Sequence, residues 1–128
     1  MSIRIVRLGM PRAPHEGTRL GTVRRPPRGV SKKDFARLDW YDVWFPLLAP
    51  SVDAMKVGLA AKTDRQWAAF ARKYRAEMKA AAASQSLDVL AALSHRANFS
   101  VGCYCANEER CHRSLLRQML VERGAQLA

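Results

Sequence analysis

Three cysteines and a Cys-His-Arg triplet fall in one short stretch near the carboxyl end of the chain, from Phe99 to Arg113. The alternation of apolar residues through Cys103 and Cys105 is typical of a β-strand, and the basic segment around Cys111 predicts a helix. A cysteine at a helix N-terminus beside cationic side chains has a lowered pKa, so its thiolate is a good nucleophile. Cys111 and His112 are therefore the candidate catalytic residues. Cys103 and Cys105 are thiols that we expect to line the same site.

This thiol cluster admits other interpretations. Its three cysteines and one histidine could supply four zinc ligands, but Cys-x-Cys is not the usual spacing of a zinc knuckle, and adjacent helical side chains diverge by about 100°. Cys111 and Arg117 match the C-x5-R count of a phosphatase cradle, but the residues between them contain no glycine and predict a continuing helix. We therefore expect neither a metal ion nor another cofactor. The simplest interpretation is a buried apolar Cys111 and a core His112 bonded to a backbone carbonyl.

A second group of residues is basic and lies in the first third of the chain. It joins several arginines to a glycine turn and to Ser31, which is a good N-cap for a predicted helix. Guanidinium groups beside a helix N-terminus are suited to phosphate or carboxylate. Arg113 and Arg117 lie four residues apart on the last predicted helix and could present two more guanidinium groups to the anion. The alternative is that they form ion pairs with Glu109 or Glu122. We predict that the two regions meet in one cationic crevice. Its anion-binding residues would be Arg24, Arg28, Ser31, His112, Arg113 and Arg117.

The net charge supports an anionic partner. The chain carries 22 Lys and Arg against 11 Asp and Glu, a formal net charge of +11. Residues 1–37 hold ten of the basic side chains and two of the acidic ones, a net charge of +8. Clustered cations attract phosphates and release counterions on binding, so we expect nucleic acid or a phosphorylated small molecule as the partner. A basic surface that only maintains solubility is the alternative.

Length and cysteine content bound the class of protein. A chain of 128 residues is expected to form one domain with a single core. An odd number of cysteines crowded into nine residues argues against a disulfide framework and for a reducing, cytoplasmic compartment. The N-terminus lacks the apolar run of a signal peptide, and no segment is long enough to cross a bilayer, so we expect no membrane partner.

Hydrophobic periodicity predicts a mixture of strands and helices. Strands are predicted at residues 3–7, 19–24 and 99–105, with a buried irregular or short strand segment at 40–49. Helices are predicted from Ser31, from Ser51 or Asp53 to Ala60, from Asp64 to Ala81, from Ser86 to Ala97 and from Asn107 to Arg123. This order predicts an α/β fold, with a small parallel or mixed sheet flanked by helices in a single three-layer domain over residues 1–128.

Two segments carry a family resemblance. The strand ending at Cys103, the turn at Asn107–Glu108 and the triplet Cys111–Arg113 resemble the C-terminal signature of the YeaO-like proteins, domain-of-unknown-function family 488. Residues 19–32 resemble that family's strand leading into a Pro-Arg-Gly-Val-Ser-Lys loop, and a further match lies at Leu48–Ser51. The resemblance spans almost the whole chain. It supports the fold more than a function, because the family has no settled activity.

The chain departs from the family pattern at three positions. Val23 stands where many relatives have an aspartate, and Pro26 stands where they have a tryptophan. Cys105 stands where an acidic residue is common. If that acid does chemistry in relatives, this protein lacks it.

Three functional hypotheses follow. The leading one is recognition of nucleic acid or a phosphorylated small molecule in the cationic crevice. The rival is a thiol-dependent enzyme, for sulfur transfer, redox or phosphatase-like chemistry, with Cys111 as the nucleophile. The third is a non-catalytic interaction module, which we would favour if Trp40 or Trp44 filled the crevice.

Overall fold

The strand that carries the first cysteine lies inside a four-stranded sheet. In the computed structural model, which describes all 128 residues, the strands are β1 (Ile3–Arg7), β2 (Thr18–Gly21), β3 (Val43–Trp44) and β4 (Phe99–Cys103). Their order across the sheet is β1-β4-β2-β3, and every pairing is parallel. All carboxyl ends therefore meet at one edge of the sheet. The structure confirms the predicted α/β class and single domain.

Four α-helices complete the fold, and their starts follow from local capping. They are α1 (Val52–Ala60), α2 (Asp64–Glu77), α3 (Ala81–Leu93) and α4 (His112–Glu122). The Ser51 hydroxyl caps α1 by accepting a hydrogen bond from the Ala54 N–H. A reciprocal capping box between Thr63 and Gln66 starts α2. Three short 3-10 turns lie at Lys32–Asp34, Pro46–Leu48 and Glu108–Arg110.

The two faces of the sheet are covered by different material. On one face, side chains from all four helices pack with strand residues such as Ile3 and Val101 in a single hydrophobic cluster. On the other face, Leu8 lies against Gly102 and Tyr41 against Gly21. These two residues belong to a smaller cluster that also includes Val23, Cys103 and Cys111. Burial on both faces explains why every residue of β4 is buried.

The prediction of a helix beginning at Ser31 is wrong. Only the 3-10 turn Lys32–Asp34 forms there, and the Ser31 side chain makes no capping hydrogen bond. The segment lacks an apolar stripe to hold a helix down, since Leu38 is 43% exposed. Asp39, with φ of 61°, then turns the chain out of helical geometry.

Several predicted boundaries also shift. β2 ends at Gly21 rather than Arg24, and β4 ends at Cys103 rather than Cys105. α3 begins at Ala81, five residues before the predicted start, because the alanine run favours helix and belongs to it. α4 begins at His112 rather than Asn107, since Asn107 caps the 3-10 turn that precedes it.

α3 also ends earlier than predicted, at Leu93 rather than Ala97. The helical periodicity of residues 86–97 predicts that Leu93 and Ala97 face inward, but both are exposed. None of the helices combines the length and the hydrophobicity that crossing a bilayer requires.

Candidate functional site

A cavity of about 770 Å³ opens at the carboxyl edge of the sheet. Arg7, the last residue of β1, and Cys103, the last residue of β4, both line it and are partners in the strand register. The segment Val23–Arg28, which follows β2, supplies a further wall. Parallel α/β sheets place their ligand sites beyond these ends, because helices begin there and loops diverge.

Arginine is the only charged residue type among the side chains that line the cavity. Asp, Glu and Lys are absent from its walls. Arg24 is held by neutral groups, since its Nε donates to the Pro50 carbonyl and its Nη2 to the Ala49 carbonyl, each at 3.1 Å. Arg25 and Arg28 make no side-chain hydrogen bond or ion pair, so their charges are uncompensated within the wall. The five arginines are Arg7, Arg24, Arg25, Arg28 and Arg110.

Aromatic rings form another part of the wall. Trp40 and Tyr104 meet edge to face with centroids 5.8 Å apart, and the Tyr104 hydroxyl donates to the Arg25 carbonyl at 2.8 Å. On the α2 side, the Arg110 guanidinium lies 5.6 Å from the ring centroid of Trp67. Trp40 lines the cavity without filling it, and Trp44 lies outside the wall.

The thiols form a compact cluster in the same wall. Cys103 ends β4 and Cys111 is the N-cap of α4, so the parallel-sheet topology brings strand end and helix start together. Cys103 Sγ lies 3.8 Å from Cys105 Sγ, and Cys111 Sγ lies 3.8 Å from His112 Nδ1. The donor atoms of Cys103, Cys111 and His112 all lie within 4.8 Å of one another.

His112 points inward, as the helical periodicity predicts. It is 6% exposed, and its Nε2 lies 2.8 Å from the Thr22 carbonyl oxygen. A carbonyl only accepts hydrogen bonds, so Nε2 carries the proton in the neutral ring. Nδ1 is then a free acceptor that faces Cys111.

The pKa values of Cys103 and Cys111 are shifted in opposite directions. Hydrogen bonds from Cys103 and Cys105 outweigh burial and hold the pKa of the Cys111 thiol well below its usual value. Hydrogen bonding to Cys105 and Cys111, together with burial, raises the pKa of Cys103. The cluster is therefore suited to holding one thiolate on Cys111, stabilised by its neighbours.

The structure divides the predicted site residues into two sets. Arg24, Arg28, the three cysteines and His112 line the cavity, whereas Ser31, Arg113 and Arg117 do not. Arg113 is only 3% exposed, and its Nη2 donates to the Cys105 carbonyl at 2.6 Å. Arg117 pairs with Glu108 through two hydrogen bonds of 2.8 and 2.9 Å, rather than with either predicted acidic partner. These two arginines hold the turn between β4 and α4 in place.

Sequence reasoning missed several lining residues. The position of Arg7 at the end of a predicted parallel strand was a usable signal, because such ends share one edge. Arg110 gave no signal, since its contact with Trp67 joins parts of the chain 43 residues apart. Tyr104 was not recognised because it fell within the predicted strand 99–105. The strand ends at Cys103, and Tyr104 lies in the bend that follows.

Comparison with protein families identifies the chain. A family model described as the active DUF488-N3 subclade matches residues 3–124, which include both the arginine segment and the thiol cluster. Comparison with curated proteins found no match, and comparison with solved structures found none either. The resemblance drawn from the sequence motifs is thus confirmed. The chain belongs to domain-of-unknown-function family 488, in its active DUF488-N3 subclade.

Proposed function

We propose that this protein binds a nucleotide, free or as a unit of a nucleic acid strand, in the cavity at the carboxyl edge of its sheet. The observation that carries the proposal is the charge of the wall, which contains five arginines and no carboxylate; of the five, only Arg110 pairs with an acidic residue, the exposed Asp64 outside the wall. Such a wall attracts phosphate and offers it forked hydrogen-bond donors.

The size and aromatic content of the cavity favour a ligand with a base. A volume of about 770 Å³ suits a small organic ligand rather than an inorganic ion alone. Trp40, Tyr104 and Trp67 offer ring surfaces beside the arginines. Nucleotides combine these requirements, because a planar base stacks on aromatic rings while the phosphate meets guanidinium groups.

The test compares arginines inside and outside the cavity. Arg25→Ala and Arg28→Ala are each expected to weaken binding of a fluorescent nucleotide or short single strand by about tenfold, the loss of one charge-assisted contact. Arg96→Ala is the matched control, because Arg96 is exposed, makes no side-chain bond and lies outside the cavity wall. Equal losses in all three variants, or no binding to the intact chain at low salt, would overturn the proposal.

A thiol-dependent enzyme is the second candidate, and the place of Cys111 favours it. Cys111 is a lining residue of the cavity at the start of α4, and its sulfur lies 3.8 Å from the free acceptor Nδ1 of His112. Sulfur transfer or redox chemistry would use this thiolate against a ligand held by the arginines. The phosphatase-like version loses its support, because the residues between Cys111 and Arg117 are helical and Arg117 is paired away from the cavity.

The enzyme candidate predicts selective alkylation. In metal-free protein, iodoacetamide should label Cys111 faster than Cys103 and Cys105, as read by mass spectrometry of peptides. Slow and uniform labelling of all three would contradict it. The presence of three free thiols also leads us to place the protein in a reducing, cytoplasmic compartment.

A further inference from the structure

We propose that Cys103, Cys111 and His112 bind a divalent cation of the Zn²⁺ class, with Cys105 as the fourth ligand. The site stands at one end of the cavity but does not depend on nucleotide binding. Its starting observation is the convergence of three buried donor atoms within 4.8 Å of one another.

Two distances in the cluster are close to those of tetrahedral coordination. Zinc lies about 2.3 Å from sulfur and about 2.0–2.1 Å from nitrogen, so tetrahedral angles place two sulfurs about 3.8 Å apart and a sulfur and a nitrogen about 3.6 Å apart. The separation between Cys103 Sγ and Cys105 Sγ is 3.8 Å, and that between Cys111 Sγ and His112 Nδ1 is 3.8 Å. The donor atoms of Cys103, Cys111 and His112 lie within 4.8 Å of one another, so movements of up to about 1 Å would bring them to a common metal.

The helical spacing that argues against zinc in the sequence does not apply in the structure. Cys111 has φ of −126° and ψ of 150°, which is extended backbone, and α4 begins only at His112. Adjacent side chains at such a junction are free to converge, whereas within a helix they would diverge by about 100°. Cys105 likewise lies beyond the end of β4, so it does not follow the alternation of the strand.

Contacts around the donors hold them in place. The His112 Nε2–H donates to the Thr22 carbonyl, which leaves Nδ1 as the nitrogen available to a metal. Arg113 donates to the Cys105 carbonyl, and the Leu8 N–H donates to the Cys103 carbonyl at 2.9 Å. Metal-binding histidines commonly have an outer partner of this kind, because it fixes the tautomer and the ring orientation.

The donor chemistry selects the class of metal. Three sulfurs and one imidazole favour a borderline-soft ion such as Zn²⁺ or Co²⁺ over the oxygen-seeking Mg²⁺ and Ca²⁺. Binding replaces the thiol protons, so affinity should fall as the pH is lowered. The negative charge of three thiolates would be offset by the metal and by the arginines of the wall.

The experiment uses the reduced full-length chain after metal removal with EDTA and exchange into chelator-free buffer. Titration with Co²⁺ should give thiolate-to-metal charge-transfer absorption that saturates at one ion per chain, and Zn²⁺ should displace it. Cys103→Ser and Cys111→Ser should each weaken binding by at least about 100-fold, and Cys105→Ser by at least about tenfold. His15→Asn is the matched control, since His15 is exposed and has no part in the cluster.

The outcomes separate this proposal from the others. Absence of the charge-transfer band in the intact chain, or full binding by Cys103→Ser, would overturn the site, and unchanged affinity in Cys105→Ser would overturn Cys105 as a ligand. Should a serine variant unfold, protection of the thiols of the intact chain from alkylation by stoichiometric Zn²⁺ decides the same question. Nucleotide binding measured in EDTA reports on the arginine wall alone, so each proposal can fail without the other.

Discussion

A buried ion pair fixes the first loop of the chain against the sheet. Arg19 is fully buried, and its guanidinium meets the carboxylate of Glu16 at 2.7 and 3.1 Å. Its remaining nitrogen donates to the carbonyls of Met10 and Asp39, and Ser100 in β4 donates to Glu16 at 2.6 Å. The pair is tolerated in the interior because its polar atoms have partners. Removal of either member would leave the other as a buried charge without an ion-pair partner.

The pair predicts a pH-dependent stability. Burial alone would raise the pKa of Glu16, but hydrogen bonds from Arg19, Ser100 and the Ala13 backbone outweigh it and lower that pKa to about 2. The folded value thus lies below the ordinary value of 4.5, so the stabilisation is complete above about pH 4.5 and is lost as the pH falls toward 2. Glu16→Gln should lower the free energy of unfolding at pH 7 by about 3 kcal/mol, and should flatten its acid dependence in urea titrations.

The matched control for this prediction is Glu109→Gln. Glu109 is exposed and its carboxylate makes no hydrogen bond, so the substitution should change stability by at most about 0.5 kcal/mol. An equal loss of stability in both variants, or an unchanged acid slope in Glu16→Gln, would show that the buried pair has no special role.

Individual residues of the site were predictable where a local rule applied. Helical periodicity placed His112 inside, because it lies on the stripe of α4 that packs in the core. The burial of Arg113 was not predictable, since it depends on a carbonyl that only the turn after β4 presents. Arg117 likewise found Glu108 because a 3-10 turn, rather than helix, precedes α4.

At the scale of elements, the pairing of β2 with β4 depends on a close approach at their starts. Gly17 precedes β2 with φ of 77°, and a Cβ there would lie 1.9 Å from the Asn98 carbonyl oxygen that precedes β4. The two strands then pair in register from Thr18 with Phe99 onward. A side chain at position 17 would have to push these strand starts apart.

Gly17→Ala therefore tests the strand approach. Gly124→Ala is the control, because Gly124 has a similar φ of 79° with no atom near its Cβ position. The control should cost about 1 kcal/mol for left-handed backbone alone, whereas Gly17→Ala should cost at least about 2 kcal/mol more, measured by urea unfolding. Equal costs would mean that only the backbone conformation matters at position 17.

The elements themselves were predictable in proportion to their periodicity. α2 was found from its repeating aromatic residues, and β1 from its β-branched alternation. The Ser31 segment failed because a capping signal without a buried stripe does not stabilise a helix. Pairing of strands distant in the chain, which brings Arg7 next to Cys103, has no local signature in either strand.

For the whole molecule, cations without an acidic partner lie both in the cavity wall and on the remaining surface. Several N-terminal cations are neutralised by acidic partners, as Arg12 is by Asp42 and Arg19 by Glu16. Among the five arginines of the cavity wall, only Arg110 has an acidic partner, the exposed Asp64. The wall therefore adds a local group of unpaired arginines to the general positive field of a chain with a net charge of +11.

This local group of arginines predicts how binding of a single strand should depend on salt. Each phosphate neutralised by an arginine contributes about 0.7 to the slope of log affinity against log salt for single-stranded nucleic acid. Arg25→Ala and Arg28→Ala should each reduce the slope by about that amount, and the double variant by about twice as much if the two contact different phosphates. Arg96→Ala should leave the slope unchanged, because a charge outside the cavity is screened over about 10 Å at 0.1 M salt. Fluorescence anisotropy across a salt series measures the slopes of the intact chain and of the four variants. A slope that falls equally in Arg96→Ala would mean that the strand binds the general positive field, with the arginine wall having no share of its own.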